Sequence, residues 1–153
     1  MPGLPWLLDT NILLRLAQLD SASYNTIRQC TELLWDQGSE LFYTSQILAE
    51  FWNVCTRPAE RNGFGFSVLE TDERASLIEA RLTLAPDSEA TYREWRRIVV
   101  ADAVSGVQVH DARVVAAMHV HAITHLLTLN LRDFRRYRRI TALSPEDVIG
   151  QFS

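Results

Sequence analysis

Four carboxylates stand where chemistry is easiest to build. Asp9 follows the apolar run Leu4-Pro5-Trp6-Leu7-Leu8 and is followed at once by a helical pattern, so it is expected at the carboxyl end of a buried strand. In open parallel α/β sheets that edge is where ligands bind. Glu50 lies in Ser45-Gln46-Ile47-Leu48-Ala49-Glu50-Phe51, and Asp111 in Val109-His110-Asp111-Ala112-Arg113. Asp133 follows the apolar run Leu126-Leu127-Thr128-Leu129. Each has a plain structural alternative. Asp9 and Asp111 are good helix caps, worth about 1 kcal/mol apiece. Glu50 is harder to explain that way, because its neighbours Leu48, Ala49, Phe51 and Trp52 leave its helix few exposed positions.

Convergence of these acids would favour a metal ion. Two carboxylates about 4 Å apart repel by about 4 kcal/mol at an effective dielectric near 20. A cluster must therefore take up a proton or a divalent cation. Mg²⁺ and Mn²⁺ prefer oxygen ligands and keep several waters, which suits Asp and Glu without histidine or cysteine. Such an ion activates water and stabilises charge on a phosphodiester. His110 precedes Asp111, and His119, His121 and His125 show no partner spacing; all four are read as structural or surface histidines.

The elements that must hold these residues alternate along the chain. Strands are expected at 4–8, 41–44, within 123–129 and at 140–143, with a minimal one at Leu84. Helices are expected at 11–19, after Ser21 or Ser23 up to Gly38, from a Ser45 cap to before Pro58, at 71–82 and at 88–102. Two more should begin at Asp111 and at Ser144-Pro145. Such alternation predicts one α/β domain over residues 1–153, with a central parallel sheet covered on both faces. At 153 residues the chain can bury a core without staples. Its two cysteines, Cys30 and Cys55, fit buried thiols rather than a metal knuckle. No apolar run approaches a membrane span and no signal peptide is evident, so a cytoplasmic location is expected.

The net charge of −4 gives no global attraction to nucleic acid, but its distribution does more. All fifteen basic residues are arginine. The missing lysine excludes a P-loop and argues against a receiver-like phosphoacceptor or an acid-rich phosphatase. Arg132, Arg135, Arg136, Arg138 and Arg139 form a basic cluster around Asp133. It is either a solvated face or a set of phosphate contacts.

The order Asp9-Thr10-Asn11, Ser45…Glu50, His110-Asp111-Ala112 and Leu127-Thr128-Leu129-Asn130-Leu131-Arg132-Asp133-Phe134 resembles the PIN-domain family, and within it the VapC-type toxins. The resemblance runs from Leu4 to about Val148. It implies a three-layer α/β/α fold and a Mg²⁺- or Mn²⁺-dependent endoribonuclease, the toxin of a type II toxin–antitoxin pair. Asp9, Glu50 and Asp111 match the first three family acids. Some members carry the fourth where this chain has Asn130, so the fourth charge is placed on Asp133. Thr10 and Asn11 match polar positions that orient the first acid or a metal-bound water, and Ser45 a small hydroxyl residue nearby. Arg132, Arg135 and Arg136 are candidates for RNA or for an antitoxin tail. The resemblance also implies a homodimer, for which the apolar residues Leu33-Leu34-Trp35 and Phe51-Trp52 supply a surface. A catalytically inactive PIN-like binding or assembly module is the competing reading, with Asn130 its support.

Overall fold

A computed structural model describes residues 3–152, the side chain of Phe152 excepted; Met1, Pro2 and Ser153 of the expected 1–153 domain lie outside it. Five short strands form one parallel sheet in the order β3-β2-β1-β4-β5. They are β1 (Trp6–Leu8), β2 (Leu41–Tyr43), β3 (Thr83–Leu84), β4 (His125–Leu127) and β5 (Thr141–Leu143). β1 is central, pairing Trp6 with Leu41 on one side and with His125 on the other. Its three residues are at most 1% exposed, as a strand covered on both faces requires.

Helices fill the crossovers. α1 (Thr10–Leu16) and α2 (Tyr24–Asp36) join β1 to β2; α3 (Ser45–Thr56) and α4 (Val68–Arg81) join β2 to β3. α5 (Glu89–Ala101) and α6 (Gln108–Val120) lead to β4, and α7 (Pro145–Phe152) follows β5. The result is the expected α/β/α layering about a parallel sheet. The chain first builds outward from β1 through β2 to β3, then returns to place β4 on the other flank. That reversal lies between β1 and β4, and their carboxyl ends frame the crevice that parallel sheets use for ligands.

Local signals explain most boundaries. Ser67 and Glu70 form a reciprocal capping box that starts α4 three residues before the expected Thr71. Ser88 caps α5, its Oγ accepting from the Thr91 amide. Gly38, at φ +82, closes the turn after α2. Cys30 and Cys55 are buried free thiols, and desolvation pushes them up to about 12 and about 11.

Two expected starts are corrected. Thr44, not Ser45, caps α3: it has extended backbone (φ −115, ψ 163) and its Oγ1 accepts from the Ile47 amide. Ser45 is the first helical residue. Asp111 does not begin α6 either. Val107 takes the cap position and Asp111 is the fourth helical residue, so capping does not explain it. α6 is buried on both sides, through Ala112, Val114, Val115, Ala116, Ala117 and Met118. Its apolar residues therefore run nearly unbroken and give no phase by which to place its first turn.

Candidate active site

The carboxyl ends of β1 and β4 supply the centre of the site. The Asp9 amide donates to the Leu127 carbonyl at 3.0 Å, which fixes Asp9 one residue beyond β1 and beside β4. Asp9 is 9% exposed. Its Oδ1 accepts from the Thr10 amide at 2.8 Å, so the residue does cap α1. Its Oδ2 accepts from Thr128 Oγ1 at 2.8 Å and from Asn11 Nδ2 at 3.4 Å. Cap and site member are one residue, because the helix that it caps begins at the sheet edge.

Thr10 and Asn11 divide their work. Thr10 holds the first acid through its amide and the second through its side chain, Oγ1 donating to Glu50 Oε2 at 2.8 Å. Asn11 Oδ1 accepts from the Leu129 amide at 3.1 Å and thereby ties α1 to the segment leaving β4. Glu50 is held at its other oxygen by Gln46 Nε2 at 3.0 Å, and the same amide reaches the His110 carbonyl at 3.2 Å. Gln46 is therefore a strut between α3 and the first turn of α6, which carries Asp111.

Electrostatics place the four acids in one neighbourhood. Burial is the main cause that raises the Asp9 carboxyl above its ordinary value; Thr128 and Thr10 oppose the shift, and Glu50 and Asp133 add to it. Asp111 is pushed up to about 6, first by burial, then by the charges of Asp9, Asp133 and Glu50, with His110 pulling the other way. Desolvation and like charges act together here, a combination typical of functional sites. Asp133 is exposed on the 3₁₀ turn Leu131–Phe134, while Phe134 beside it is buried. Asn130 is exposed just before that turn, its amide donating to Thr128 Oγ1 at 3.0 Å.

The donor set suits a hard divalent cation: every acid offers oxygen, and Asp9 and Asp111 are held in the unfavourable state that such an ion relieves. Among the described residues, no group of three or more His, Cys, Asp or Glu side chains is arranged to hold a metal ion. An ion that keeps most of its waters does not need one, since Mg²⁺ is commonly held through one or two carboxylates.

Ser45 Oγ donates to Asp87 Oδ2 at 3.0 Å, an acid outside this group. The arginines split. Arg132 and Arg135 are exposed, with no ion-pair partner among the described residues. Arg136 is tied to the α5–α6 loop, donating to the Asp102 carbonyl at 3.5 Å and to Gln108 Oε1 at 3.1 Å. Arg139 lies 3.6 Å from Glu94. Sequence reasoning missed Thr128 and Gln46. Thr128 carried a signal, a hydroxyl set between leucines at a strand exit; Gln46 lies one helical turn before Glu50.

Residues 6–140 match the PIN domain as a sequence family. The chain belongs to the PIN-domain family. No curated protein sequence matches it. Among solved structures, this PIN domain is similar to VapBC2 from Rickettsia felis bound to a promoter DNA fragment, at 16% identity and TM-score 0.69, over 92% of this chain and 98% of that one. It is similar to VapBC-1 from nontypeable Haemophilus influenzae, at 15% identity and TM-score 0.66, over 94% and 99%. A third is VapC20 of Mycobacterium tuberculosis, described as a Sarcin-Ricin loop cleaving toxin, at 16% identity and TM-score 0.56, over 79% and 86%. Identity this low carries the fold across and leaves the chemistry to be argued from the residues. No helix among the described residues is long and apolar enough to cross a membrane.

Proposed function

We propose that this PIN domain is a Mg²⁺- or Mn²⁺-dependent endoribonuclease, the toxin of a type II toxin–antitoxin pair. The observation that carries the reading is the sheet edge itself: Asp9 is fixed between β1 and β4, Thr10 beside it donates to Glu50, and Gln46 ties α3 to the first turn of α6, where burial and the acids' charges push Asp111 up to about 6. A fold does not gather like charges at its ligand-binding edge without something to neutralise them. Asp9, Glu50, Asp111 and Asp133 are the residues that would hold the ion. When bound, it would supply an activated water and stabilise charge on the phosphodiester.

The other residues set the conditions for that chemistry. Thr128 and Asn11 fix Asp9, Thr10 and Gln46 fix Glu50, and Gln46 holds α3 at a set distance from α6. Arg132 and Arg135 stand in solvent beside Asp133, where they can meet backbone phosphates without reading sequence. The VapBC complexes among the similar structures support an antitoxin as partner.

A homodimer is part of the proposal, with Leu33, Trp35 and Trp52 of the expected surface half-buried and α4 adding exposed apolar residues. Leu34 and Phe51 lie in the core, whereas Val68, Leu69 and Leu77 of α4 are more than 60% exposed. The binding-module alternative rests on Asn130, a neutral amide where some family members carry an acid. Incubation of the protein with RNA in Mn²⁺ and in EDTA separates the two readings. Cleavage in Mn²⁺ alone, lost in Asp9→Asn and Asp111→Asn, is expected. No cleavage of any RNA in Mn²⁺ or Mg²⁺ leaves the binding module.

A further inference from the structure

A hollow of about 320 Å³ is lined by Asp87, Ser88, Thr91, Tyr92, Trp95 and Arg113, and by none of the four acids. Its character is aromatic. The rings of Tyr92 and Trp95 lie 6.2 Å apart, tilted by 36°. Trp95 is pinned, its Nε1 donating to the Val109 carbonyl at 2.9 Å. Tyr92 is 57% exposed, so much of its ring is open to solvent. At the rim, Asp87 Oδ2 accepts from Ser45 Oγ at 3.0 Å and lies 3.4 Å from Arg113 Nη2.

The hollow and the acid cluster share two helix starts. Ser45 opens α3, whose next residue Gln46 holds Glu50. Trp95 is bonded two residues before Asp111, and Arg113 comes two residues after it. Residues two apart on a helix diverge by about 200°, so Asp111 and Arg113 serve opposite sides of one turn. Aromatic faces beside an arginine suit a flat π-system attached to an anion, which is the chemistry of a nucleotide in a single strand.

We propose that this hollow is a subsite for one nucleobase of single-stranded RNA, a base that flanks the nucleotide at the carboxylates. The base stacks on Tyr92 and Trp95, and Arg113 meets the adjoining phosphate. The inference rests on the ribonuclease reading of the acids and adds to it where the flanking nucleotide goes.

The probe is an all-uridine RNA carrying a single 2-aminopurine, whose fluorescence is quenched on stacking. It is titrated with Mn²⁺ into the Asp9→Asn protein so that the strand stays whole. Quenching is expected with Tyr92 or with Tyr92→Phe present. Tyr92→Ala should abolish it and weaken binding about tenfold, the scale of one stacked base. Arg113→Ala should keep the quenching while the salt slope falls by about 0.7. Leu69→Ala, exposed on α4, should change neither. Undiminished quenching in Tyr92→Ala, at unchanged melting temperature, overturns the subsite, as does a change in sedimentation alone. Cleavage by wild type separates the two claims. If RNA is cut and Tyr92→Ala leaves KM and quenching untouched, the subsite fails and the ribonuclease stands. If no RNA is cut but quenching still depends on Tyr92, the ribonuclease reading fails and the base site stands.

Discussion

Two carboxylate environments touch α6 and are opposite in kind: a group of acids at the sheet edge, and the single Glu94 of α5. At the sheet edge, Asp9 and Asp111 are raised, and the charges close enough to act on them are mostly other acids. On the α5 side, Glu94 is lowered to about 2, chiefly by hydrogen bonding to Arg97. It accepts from Arg97 Nε at 2.7 Å and Nη2 at 2.8 Å, and lies 2.6 Å from His119 Nδ1, with Arg139 at 3.6 Å. A satisfied carboxylate knots elements together. A group of them with no cationic partner is held together by the fold at a cost, one that a divalent cation would offset.

The largest contrast should come from neutralising one acid in each environment. Asp111→Asn or Asp9→Asn is expected to reduce RNA cleavage by well over the ~100-fold that follows loss of a merely supporting group in a metal site. Melting temperature should hold or rise, because a repulsion is removed. Glu94→Gln should do the reverse. Activity persists, while loss of charge-assisted bonds costs about 2 kcal/mol, or about 4–8 °C for a domain of this size. Cleavage rates and melts on the same three variants check both halves. A destabilised, fully active Asp111→Asn would invert the assignment.

Metal sharpens the comparison. At a hundredfold excess over its dissociation constant, Mn²⁺ should stabilise wild type by about 2.7 kcal/mol relative to EDTA-treated protein. Glu94→Gln should keep that increment and Asp111→Asn should lose most of it. Equal increments in both variants would place the ion away from the sheet edge.

What the sequence disclosed follows the same division. The strand exits were legible because an apolar run ending in a charge is a burial boundary, and Asp9 and the Leu-Thr-Leu run at 127–129 both show one. Parallel topology then followed from the alternation. Long-range partners were not legible. Nothing local to Gln46 announces a bond to the His110 carbonyl, and nothing in the run 132–139 separates Arg136, tied to Gln108, from exposed Arg135. The start of α3 was misplaced by one residue because Thr44 and Ser45 are adjacent hydroxyl residues, and only backbone dihedrals select the cap.

The pH responses should have opposite signs. Asp111 is raised from an ordinary value of 3.8 to about 6. Between those values the folded chain keeps a proton that the unfolded chain has released, so its contribution to stability falls as pH rises across that window. Glu94 is lowered from 4.5 to about 2, so its contribution is present above 4.5 and fades as pH falls through that range. Melts without divalent ion should show wild type losing ground to Asp111→Asn as pH rises from about 4 to about 6. Mn²⁺ should flatten that difference, since it binds the deprotonated acid. A gain with rising pH in EDTA would mean that Asp111 has a cationic partner in solution.

The smallest effect separates the arginines. Arg132 and Arg135 stand in solvent beside the acid group, whereas Arg139 belongs to the Glu94 knot and Arg136 to the α5–α6 loop. If the acidic edge receives an RNA backbone, the exposed pair should offset the repulsion that the strand meets there, each through one phosphate. Arg132→Ala with Arg135→Ala should then lower the slope of log affinity against log salt by about 0.7 per contact. Melting temperature and Mn²⁺ affinity should not move, since neither side chain has a hydrogen-bond or ion-pair partner among the described residues. Arg139→Ala should leave the salt slope alone and lower the melting temperature slightly, because an exposed ion pair contributes at most about 1 kcal/mol. Identical salt slopes in wild type and the Arg132/Arg135 double variant would return that pair to a solvated face. The strand would then be held by the acids' cation and by whatever occupies the hollow beside Tyr92.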